Sequence, residues 1–290
     1  MKIQSLQAKN FFNQDSKRWS KKSKISNKKL QNIVQHRNNY VFNKLKKIKP
    51  NYFLDVGCGS GDLINMSKKY TQNSIGIDFA EKMINIAKKN FLKNKNNNLE
   101  FYNKSIFDYK TQKRFNLISA NGFIEYLSLS DLSKFIILSK KLLKKNGYLI
   151  LSSRNRLFNA VSLNQFTLKE IDTNKLKDLV EEIIDLKNLK FEEFKKIKKR
   201  KITEIKFKQP KTGINVDVRH QYTPNQLINF LDKYNFKVEE IFPINLHIYG
   251  NSILKKNNLY KLNIKKNLKY EIYKSFIPHA STFMVIAKKK

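Results

Sequence analysis

The sequence predicts an α/β protein with a doubly wound, mostly parallel sheet covered by helices on both faces. Two observations predict it. Short apolar runs alternate with amphipathic helical patterns from residue 51 to about 153, and this rhythm is typical of repeated βα units. In addition, 40% of the 290 residues are hydrophobic, which is enough for an ordinary buried core.

The first 49 residues are predicted to be helical and basic. The stretch LQNIVQHRNNYVFNKLKKI has apolar residues at intervals of three and four, the spacing of one helix face. Pro50 ends this pattern because proline cannot continue a helix. We therefore assign residues 1–49 to an N-terminal helical segment.

Residues 50–155 carry the α/β alternation. Gly147 marks the expected junction between the last helix and a central strand. In chain order, the predicted elements are YFLDVG, LINMSKKY, SIGIDF, EKMINIAKKNFL, LEFYNKSI, FNLISAN, LSKFIILSKKLLKK and GYLILSS.

Residues 156–220 break this rhythm and are predicted to be an insertion. They contain a charged helical stretch, TNKLKDLVEEIIDLKNLKFEEFKKIKKRK, and then a possible hairpin around residues 210–213. Residues 221–290 are expected to complete the sheet. Thr223 and Pro224 have the residue types of a helix start, and FKVEEIFPI and STFMVIAKKK are strand-like.

The net charge of +36 raises the question of an anionic partner. The basic residues are mostly lysine, with seven arginines, beside abundant asparagine and isoleucine. AT-rich coding produces this bias without any partner, and base recognition favours arginine. Nucleic acid and an anionic membrane surface stay open as alternatives.

Cysteine content and hydropathy restrict the remaining classes. The single cysteine, Cys58, excludes an internal disulfide and a multi-cysteine zinc site, so we expect no metal. No stretch approaches the roughly 18 uninterrupted apolar residues of a membrane span. The expected location is cytoplasmic.

The turn GCGSG follows the first predicted strand directly and indicates close approach of the backbone to a ligand. Gly57, Gly59 and Gly61 have the spacing G-x-G-x-G, unlike the G-x-G-x-x-G of dinucleotide folds. Asp55 before them would repel a pyrophosphate but suits a cationic ligand. Asp78 ends the second strand, where a carboxylate can accept hydrogen bonds from ribose hydroxyls.

Three stretches, LDVGCGSGD, GIDFAEKMINIAKKN and FNLISANGFIEYL, resemble successive motifs of class I S-adenosylmethionine-dependent methyltransferases in order and spacing. The resemblance covers about residues 50–153. It implies a Rossmann-like, seven-stranded sheet and S-adenosyl-L-methionine as cofactor. The N-terminal segment with Phe12 and Trp19 then looks like the helix that covers the cofactor in some members, and the insertion like a lid over the acceptor pocket.

The resemblance also implies which residues hold the cofactor. The glycine turn lies against its methionine part, Asp55 lies near its amino group, Asp78 binds the ribose and Phe79 flanks the adenine. Family members often carry an aspartate after the third strand; here Ser105 stands at that place. The complete predicted set is Asp55, Gly57, Cys58, Gly59, Gly61, Asp78, Phe79, Met83, Ser105, Ile106, Asn121 and Gly122.

The later half of the chain is expected to build the acceptor pocket. A general base is needed only if the acceptor arrives protonated. Arg154 and Arg156 could bind an acceptor carboxylate or phosphate, or pack against the insertion. The candidate catalytic residues are His220, His247, Glu125 and Tyr222.

Two acceptor classes are disfavoured. Amino methylation of nucleic-acid bases usually comes with [DNS]-P-P-[FYW] after the fourth strand, where this chain has NGFI. Methylation at cytosine C5 needs a catalytic cysteine, and Cys58 belongs to the glycine turn. The prediction is methyl transfer to oxygen or carbon of a small-molecule or lipid-linked acceptor. An RNA methyltransferase and a non-catalytic binding protein are the alternatives.

Overall fold

The computed structural model describes residues 3–24, 32–92, 98–202, 219–247 and 274–290. Within them, a seven-stranded sheet has the order β3-β2-β1-β4-β5-β7-β6. The strands are β1 (Tyr52–Val56), β2 (Asn73–Asp78), β3 (Leu99–Asn103), β4 (Phe115–Ala120), β5 (Leu143–Arg154), β6 (Phe236–Leu246) and β7 (Ala280–Lys289).

Helices cover both faces of the sheet, as expected when βα crossovers join parallel strands. Within the described residues they are α1 (Ile3–Gln14), α2 (Ser16–Ser23), α3 (Ile33–Ile48), α4 (Asp62–Ser67), α5 (Glu81–Phe91), α6 (Leu129–Leu142), α7 (Phe158–Val161), α8 (Gln165–Asp172), α9 (Leu176–Asn188) and α10 (Pro224–Lys233).

The first five strands are parallel, and β7 runs antiparallel between β5 and β6. Strand β1 lies at the centre between β2 and β4, and four of its five residues are buried. From β1 the chain continues to β2 and β3 on one side and then crosses to β4 on the other side of β1. Ligands of such sheets bind beside this switch point, at the carboxyl ends of the strands. The glycine turn after β1 stands at this place.

Local chemistry fixes the ends of the helices that frame this edge. Ser128 caps α6 by accepting a hydrogen bond from the Asp131 N–H at 3.2 Å. Thr223 caps α10 with a complete capping box, and Pro224 occupies the first helical turn, where its missing N–H costs nothing. The predicted start of α10 is therefore confirmed.

The predicted fold class, with seven mostly parallel strands and helices on both faces, is confirmed. The junction predicted at Gly147 is wrong: α6 ends at Leu142, and Gly147 lies inside β5. The register of β5 against β4 shifts there, and Asn146 takes the left-handed turn conformation (φ 60°). Glycine is favoured at 147 because a Cβ atom would lie only 3.0 Å from the Lys144 carbonyl oxygen.

The insertion contributes α7, α8 and α9 within its described part, and Leu179, Ile183 and Leu186 of α9 are buried in the main core. The hairpin predicted around residues 210–213 lies outside the described residues. None of the helices in the described ranges has both the length and the apolarity needed to cross a membrane.

Candidate active site

The glycine turn has backbone conformations that residues with a side chain rarely adopt. Gly57, Gly59 and Gly61 have φ angles of 72°, 53° and 80°, in the left-handed region that favours glycine. The Gly57 and Cys58 N–H groups donate to the Ile77 carbonyl at 2.8 and 3.1 Å. These two bonds hold the start of the turn against the end of β2.

Asp78 joins the turn to the second βα connection. Its Oδ2 accepts from the Gly59 N–H at 2.9 Å, and its Oδ1 accepts from the Ala80 N–H at 2.8 Å. Asp78 is buried, with 8% of its surface exposed. Burial raises the pKa of Asp78 to about 6, although the backbone N–H groups oppose this shift.

Asp55, near the end of β1, is the more deeply buried of the two carboxyl groups. Its Oδ1 accepts from the Ser119 hydroxyl on β4 at 2.5 Å. Burial raises the pKa of Asp55 to about 7; the Ser119 bond lowers it and nearby Asp78 raises it further. A cation placed beside Asp55 would stabilise its ionised form.

A cavity of about 470 Å³ opens at this edge of the sheet, within the usual size range of small-molecule sites. Asn121 lies on its wall, and neither amide atom of Asn121 has a hydrogen-bond partner among the described residues. Nine of the twelve predicted cofactor residues line the cavity: Gly57, Gly59, Asp78, Phe79, Met83, Ser105, Ile106, Asn121 and Gly122.

A smaller pocket of about 60 Å³ adjoins the cavity and shares with it six lining residues: Trp19, Gly57, Gly59, Asn121, Gly122 and Tyr126. Asp55 and Cys58 line the smaller pocket. Gly61 lines neither space, because its Cα faces the Phe101 ring and Ala87, within 3 Å of where a Cβ atom would be. A residue without a side chain is therefore required at position 61 for the turn to pack.

Aromatic residues of the N-terminal helices cover the cavity. Phe12 on α1 lies edge-on to Trp19 and to Tyr126, with ring centroids 5.5 and 5.7 Å apart. The Ser23 hydroxyl at the end of α2 donates to the Asp62 carboxylate at 2.5 Å, just after the glycine turn. Both contacts tie the N-terminal helices to the edge of the sheet.

A buried ion cluster lies in the wall of the smaller pocket. Arg219 Nη2 donates to Glu125 Oε1 at 2.5 Å, and its guanidinium carbon lies 5.4 Å from the Tyr126 ring centroid. Arg37 of α3 lines the same pocket. Burial raises the pKa of Glu125, but Arg219 and Arg37 outweigh it, so the pKa lies below its ordinary value.

Comparison with known proteins decides the family. Residues 49–210, more than half of the chain, match a family model described as a methyltransferase domain. The chain belongs to this methyltransferase family. It is a class I, S-adenosylmethionine-dependent member, as its motifs and fold predicted.

One curated relative of this methyltransferase is the ubiquinone biosynthesis O-methyltransferase of Pelagibacter ubique (strain HTCC1062). The two are 35% identical over 112 residues, which cover 39% of this chain and 44% of that protein. The matched region is thus less than half of the relative's length.

Solved structures share the fold over almost the whole chain. Magnesium protoporphyrin IX methyltransferase from Synechocystis PCC 6803, crystallised with bound S-adenosylhomocysteine, superposes with a TM-score of 0.56 at 14% identity and 97% coverage of both chains. A methyltransferase from Mesorhizobium loti gives 0.52 at 12% identity, with 87% of this chain and 98% of that chain covered.

Three of the four candidate catalytic residues of the methyltransferase do not reach either space. His220 is buried, and its backbone N–H donates to the Glu125 carbonyl at 2.8 Å. Tyr222 is fully buried beside it, and its backbone bridges to Asn155. His247 lies against the Phe158 ring, 4.9 Å between centroids. His220 and Tyr222 are therefore part of the core, whereas His247 is half-buried away from both spaces.

Glu125 does line the smaller pocket, where it forms an ion pair with Arg219. Arg156, a candidate for acceptor binding, instead makes a buried two-bond pair with Glu170 of α8, at 3.0 and 2.7 Å. For Arg156, packing against the insertion is therefore the observed role.

Sequence reasoning missed Arg37 and Arg219. Arg37 sits in a lysine-rich helix and Arg219 beside a candidate histidine, so neither stood out. The available signal was their type, because only seven residues of this chain are arginine and burial of a cation favours arginine over lysine.

Proposed function

We propose that this methyltransferase transfers the methyl group of S-adenosylmethionine to an oxygen of a small-molecule acceptor. The observation that carries the proposal is the cavity of about 470 Å³ at the switch point of the sheet, lined by the glycine turn, Asp78 and Asn121 and covered by aromatic side chains. The oxygen acceptor is supported by the curated O-methyltransferase relative.

The residues present fit the cofactor. Three positive-φ glycines, Gly57, Gly59 and Gly122, lie in the walls, so no side chain projects from these positions. A carboxylate offers about four acceptor positions, and Asp78 uses two of them for the Gly59 and Ala80 N–H groups. The other two can accept from a pair of ribose hydroxyls.

The smaller pocket suits the amino-acid end of the cofactor. Its lining includes carboxyl groups, among them Asp55, and the guanidinium groups of Arg37 and Arg219. An ammonium group and a carboxylate on the same carbon would meet complementary charges there. The amide of Asn121, shared by both spaces, can bind either part.

When bound, the cofactor supplies an electrophilic methyl group on a sulfonium. The chain supplies position and exclusion of water, which account for most of the acceleration of an in-line displacement. Phe12, Trp19 and Tyr126 form an apolar cover over the cavity. Glu125 cannot easily take a proton from the acceptor, because its ion pair with Arg219 favours the ionised form and occupies one oxygen.

We also propose a function for each segment of the chain. Residues 1–49 act as a lid, since α1 and α2 carry the aromatic cover. Residues 50–155 and 221–290 form the core sheet. Residues 156–220 contribute to the acceptor side through Arg219, whereas residues 156–202 do not line the cavity. Contact with an anionic membrane stays a prediction.

The test is transfer of label from S-adenosylmethionine labelled on its methyl group. The purified protein is incubated with an extract of the cells that encode it, and the products are separated into nucleic-acid, lipid and water-soluble fractions. The expected result is label in the lipid or water-soluble fraction, lost in the Asp78→Ala variant. Label in nuclease-sensitive material would instead identify an RNA methyltransferase, and no transfer at all would favour a binding protein.

A further inference from the structure

The main cavity and the smaller pocket meet at a junction that both share. Under the proposed function, the ribose of the cofactor lies in the main cavity and its amino-acid end lies in the smaller pocket. The sulfur atom joins these two parts, so it belongs at the junction. Six residues line both spaces: Trp19, Gly57, Gly59, Asn121, Gly122 and Tyr126. The methyl group and the atom that receives it are therefore expected among these six residues.

The direction of methyl transfer divides the junction into a floor and a cover. Its floor consists of the glycine turn, which follows β1, and of Asn121 and Gly122, which follow β4. The cover consists of Trp19 and Tyr126, and the Trp19 ring lies 3.8 Å from the place where a Gly59 Cβ atom would be. In an in-line displacement the attacking atom lies on the far side of the methyl carbon from the sulfur. With the cofactor on the floor, the acceptor atom lies toward the cover.

Only one of the two cover residues can accept a hydrogen bond. An indole has a single N–H donor, whereas a phenol hydroxyl both donates and accepts. In the described part of the chain, no residue forms a hydrogen bond with the Tyr126 hydroxyl. The side chain of Tyr126 is half-buried. Its hydroxyl is therefore available to a ligand at the junction.

The rest of Tyr126 is held in place by its neighbours. Its backbone N–H donates to the Phe123 carbonyl at 3.1 Å. Phe12 lies edge-on to its ring with centroids 5.7 Å apart, and the Arg219 guanidinium carbon lies 5.4 Å from the ring centroid. Glu125 in turn fixes Arg219 by their ion pair. A ring that is fixed by so many contacts is suited to orienting a reacting group.

The phenol of Tyr126 is neutral near pH 7. Burial raises its pKa to about 12, although the positive charge of Arg219 opposes this shift. A neutral phenol can accept a hydrogen bond from one hydroxyl and donate its own proton to another oxygen. These properties suit Tyr126 to orienting an acceptor hydroxyl rather than to removing its proton as a base.

Resting on the proposed function, we propose that Tyr126 binds the acceptor oxygen: its hydroxyl accepts a hydrogen bond from the acceptor hydroxyl and turns a lone pair of that oxygen toward the methyl group. This lone pair forms the new bond to the methyl carbon, and the electrons of the broken carbon–sulfur bond stay on sulfur. The proton of the acceptor hydroxyl leaves to water. The acceptor is thus a molecule that carries a hydroxyl group, and Tyr126 is the residue that selects it.

Tyr126→Phe tests this contact, because it removes the hydroxyl and keeps the ring between Phe12 and Arg219. The reaction uses labelled S-adenosylmethionine and the extract fraction that yields labelled product. The initial rate at limiting extract should fall about tenfold or more, since one hydrogen bond to the acceptor is lost. The dissociation constant of S-adenosylhomocysteine, measured by calorimetry, should change less than about twofold.

The failure of this proposal differs from the failure of the proposed function. Equal transfer rates in Tyr126→Phe and the unmodified protein would overturn the contact while leaving methyl transfer established. Absence of labelled product with the unmodified protein would overturn the proposed function and this proposal with it. A loss of cofactor affinity as large as the loss of rate would assign Tyr126 to the cofactor and overturn its contact with the acceptor.

Binding of the product gives a readout that does not depend on turnover. Labelled product, made by the unmodified protein and purified, is dialysed to equilibrium against each protein with saturating S-adenosylhomocysteine. Its dissociation constant should be about fivefold larger in Tyr126→Phe, because the phenol donates to the methylated oxygen. Unchanged product affinity would contradict the contact.

The pH profile separates orientation from proton removal. The ratio of the transfer rates of the unmodified protein and Tyr126→Phe should stay constant between about pH 6 and 9, because a phenol with a pKa of about 12 does not ionise there. A ratio that rises with pH through this range would identify Tyr126 as a base and overturn the orienting role.

Tyr148→Phe is the matched control. Tyr148 is half-buried on β5, and its ring also lies beside a cation, with the Lys288 Nζ 5.9 Å from the centroid. It lines neither space. This variant should leave the transfer rate and both dissociation constants unchanged, so losses confined to Tyr126→Phe report on the junction.

Discussion

Replacement of Asp78 by alanine tests the central contact of the proposed cofactor site. The carboxylate accepts hydrogen bonds from the Gly59 and Ala80 N–H groups, and Asp78 lines the cavity, so we expect its remaining acceptor positions to bind the ribose hydroxyls. A hydrogen bond to a charged group contributes about 1.5–3 kcal/mol. Loss of one bond to the ribose weakens affinity about tenfold, and loss of two weakens it by about 150-fold or more.

The assay is titration calorimetry with S-adenosylhomocysteine at pH 8, where Asp78, with a pKa of about 6, is ionised. Asp172→Ala is the matched control, because this aspartate is exposed at the end of α8. Thermal unfolding of both variants shows whether the glycine turn survives the loss of an acceptor for the Gly59 N–H. If Asp78→Ala is folded and its affinity changes less than twofold, Asp78 does not bind the ribose.

The pH dependence of the unmodified protein gives a second check on the same contact. Protonation removes acceptor positions from Asp78, so affinity should be highest above about pH 7 and fall as the pH is lowered through 6. Asp55, with a pKa of about 7, acts in the same direction because its ionised form binds an ammonium group. Affinity that is constant between pH 5 and 8 would contradict both assignments.

Three further predictions concern the turn, the cover and the buried carboxyl group. Gly61→Ala should reduce the free energy of unfolding by about 2–4 kcal/mol, measured in urea, because φ is 80° and the new Cβ would lie 2.6 Å from Phe101; a loss below about 0.5 kcal/mol would refute this. Trp19→Ala should raise the dissociation constant of S-adenosylhomocysteine about tenfold, since its ring lies beside Gly59 and covers the cavity; calorimetry showing unchanged binding would remove it from the lid. In Asp55→Asn, the pH dependence of unfolding without cofactor should become shallower. The pKa of Asp55 in the folded protein is raised from 3.8 to about 7, so between these pH values Asp55 keeps its proton only in the folded state. The unmodified protein therefore loses stability as the pH rises toward 7. If thermal denaturation shows the same dependence of stability on pH in Asp55→Asn and in the unmodified protein, the assignment is contradicted.

The sequence by itself determined the fold class and the residues of the proposed cofactor site. Glycine at 57, 59 and 61 and aspartate at 55 and 78 are local signals, because a left-handed turn and a carboxylate at a strand end depend only on neighbouring residues. The alternation of apolar strands and amphipathic helices likewise determined the fold class. The predicted junction between helix and strand at Gly147 was wrong because a shift in strand register depends on the partner strand, which a single segment does not reveal.

Only the tertiary structure brought together the buried charged residues beside the smaller pocket. Arg37, Glu125, Arg154 and Arg219 are separated by up to 182 positions along the chain and form one cluster because α3, β5 and the segment before α10 pack at one edge of the sheet. Whether a buried arginine is paired inside the core, as Arg156 is with Glu170, or lines a pocket, as Arg219 does, depends on this packing. Local sequence determines backbone geometry, whereas the balance of buried charge is set by contacts between distant residues.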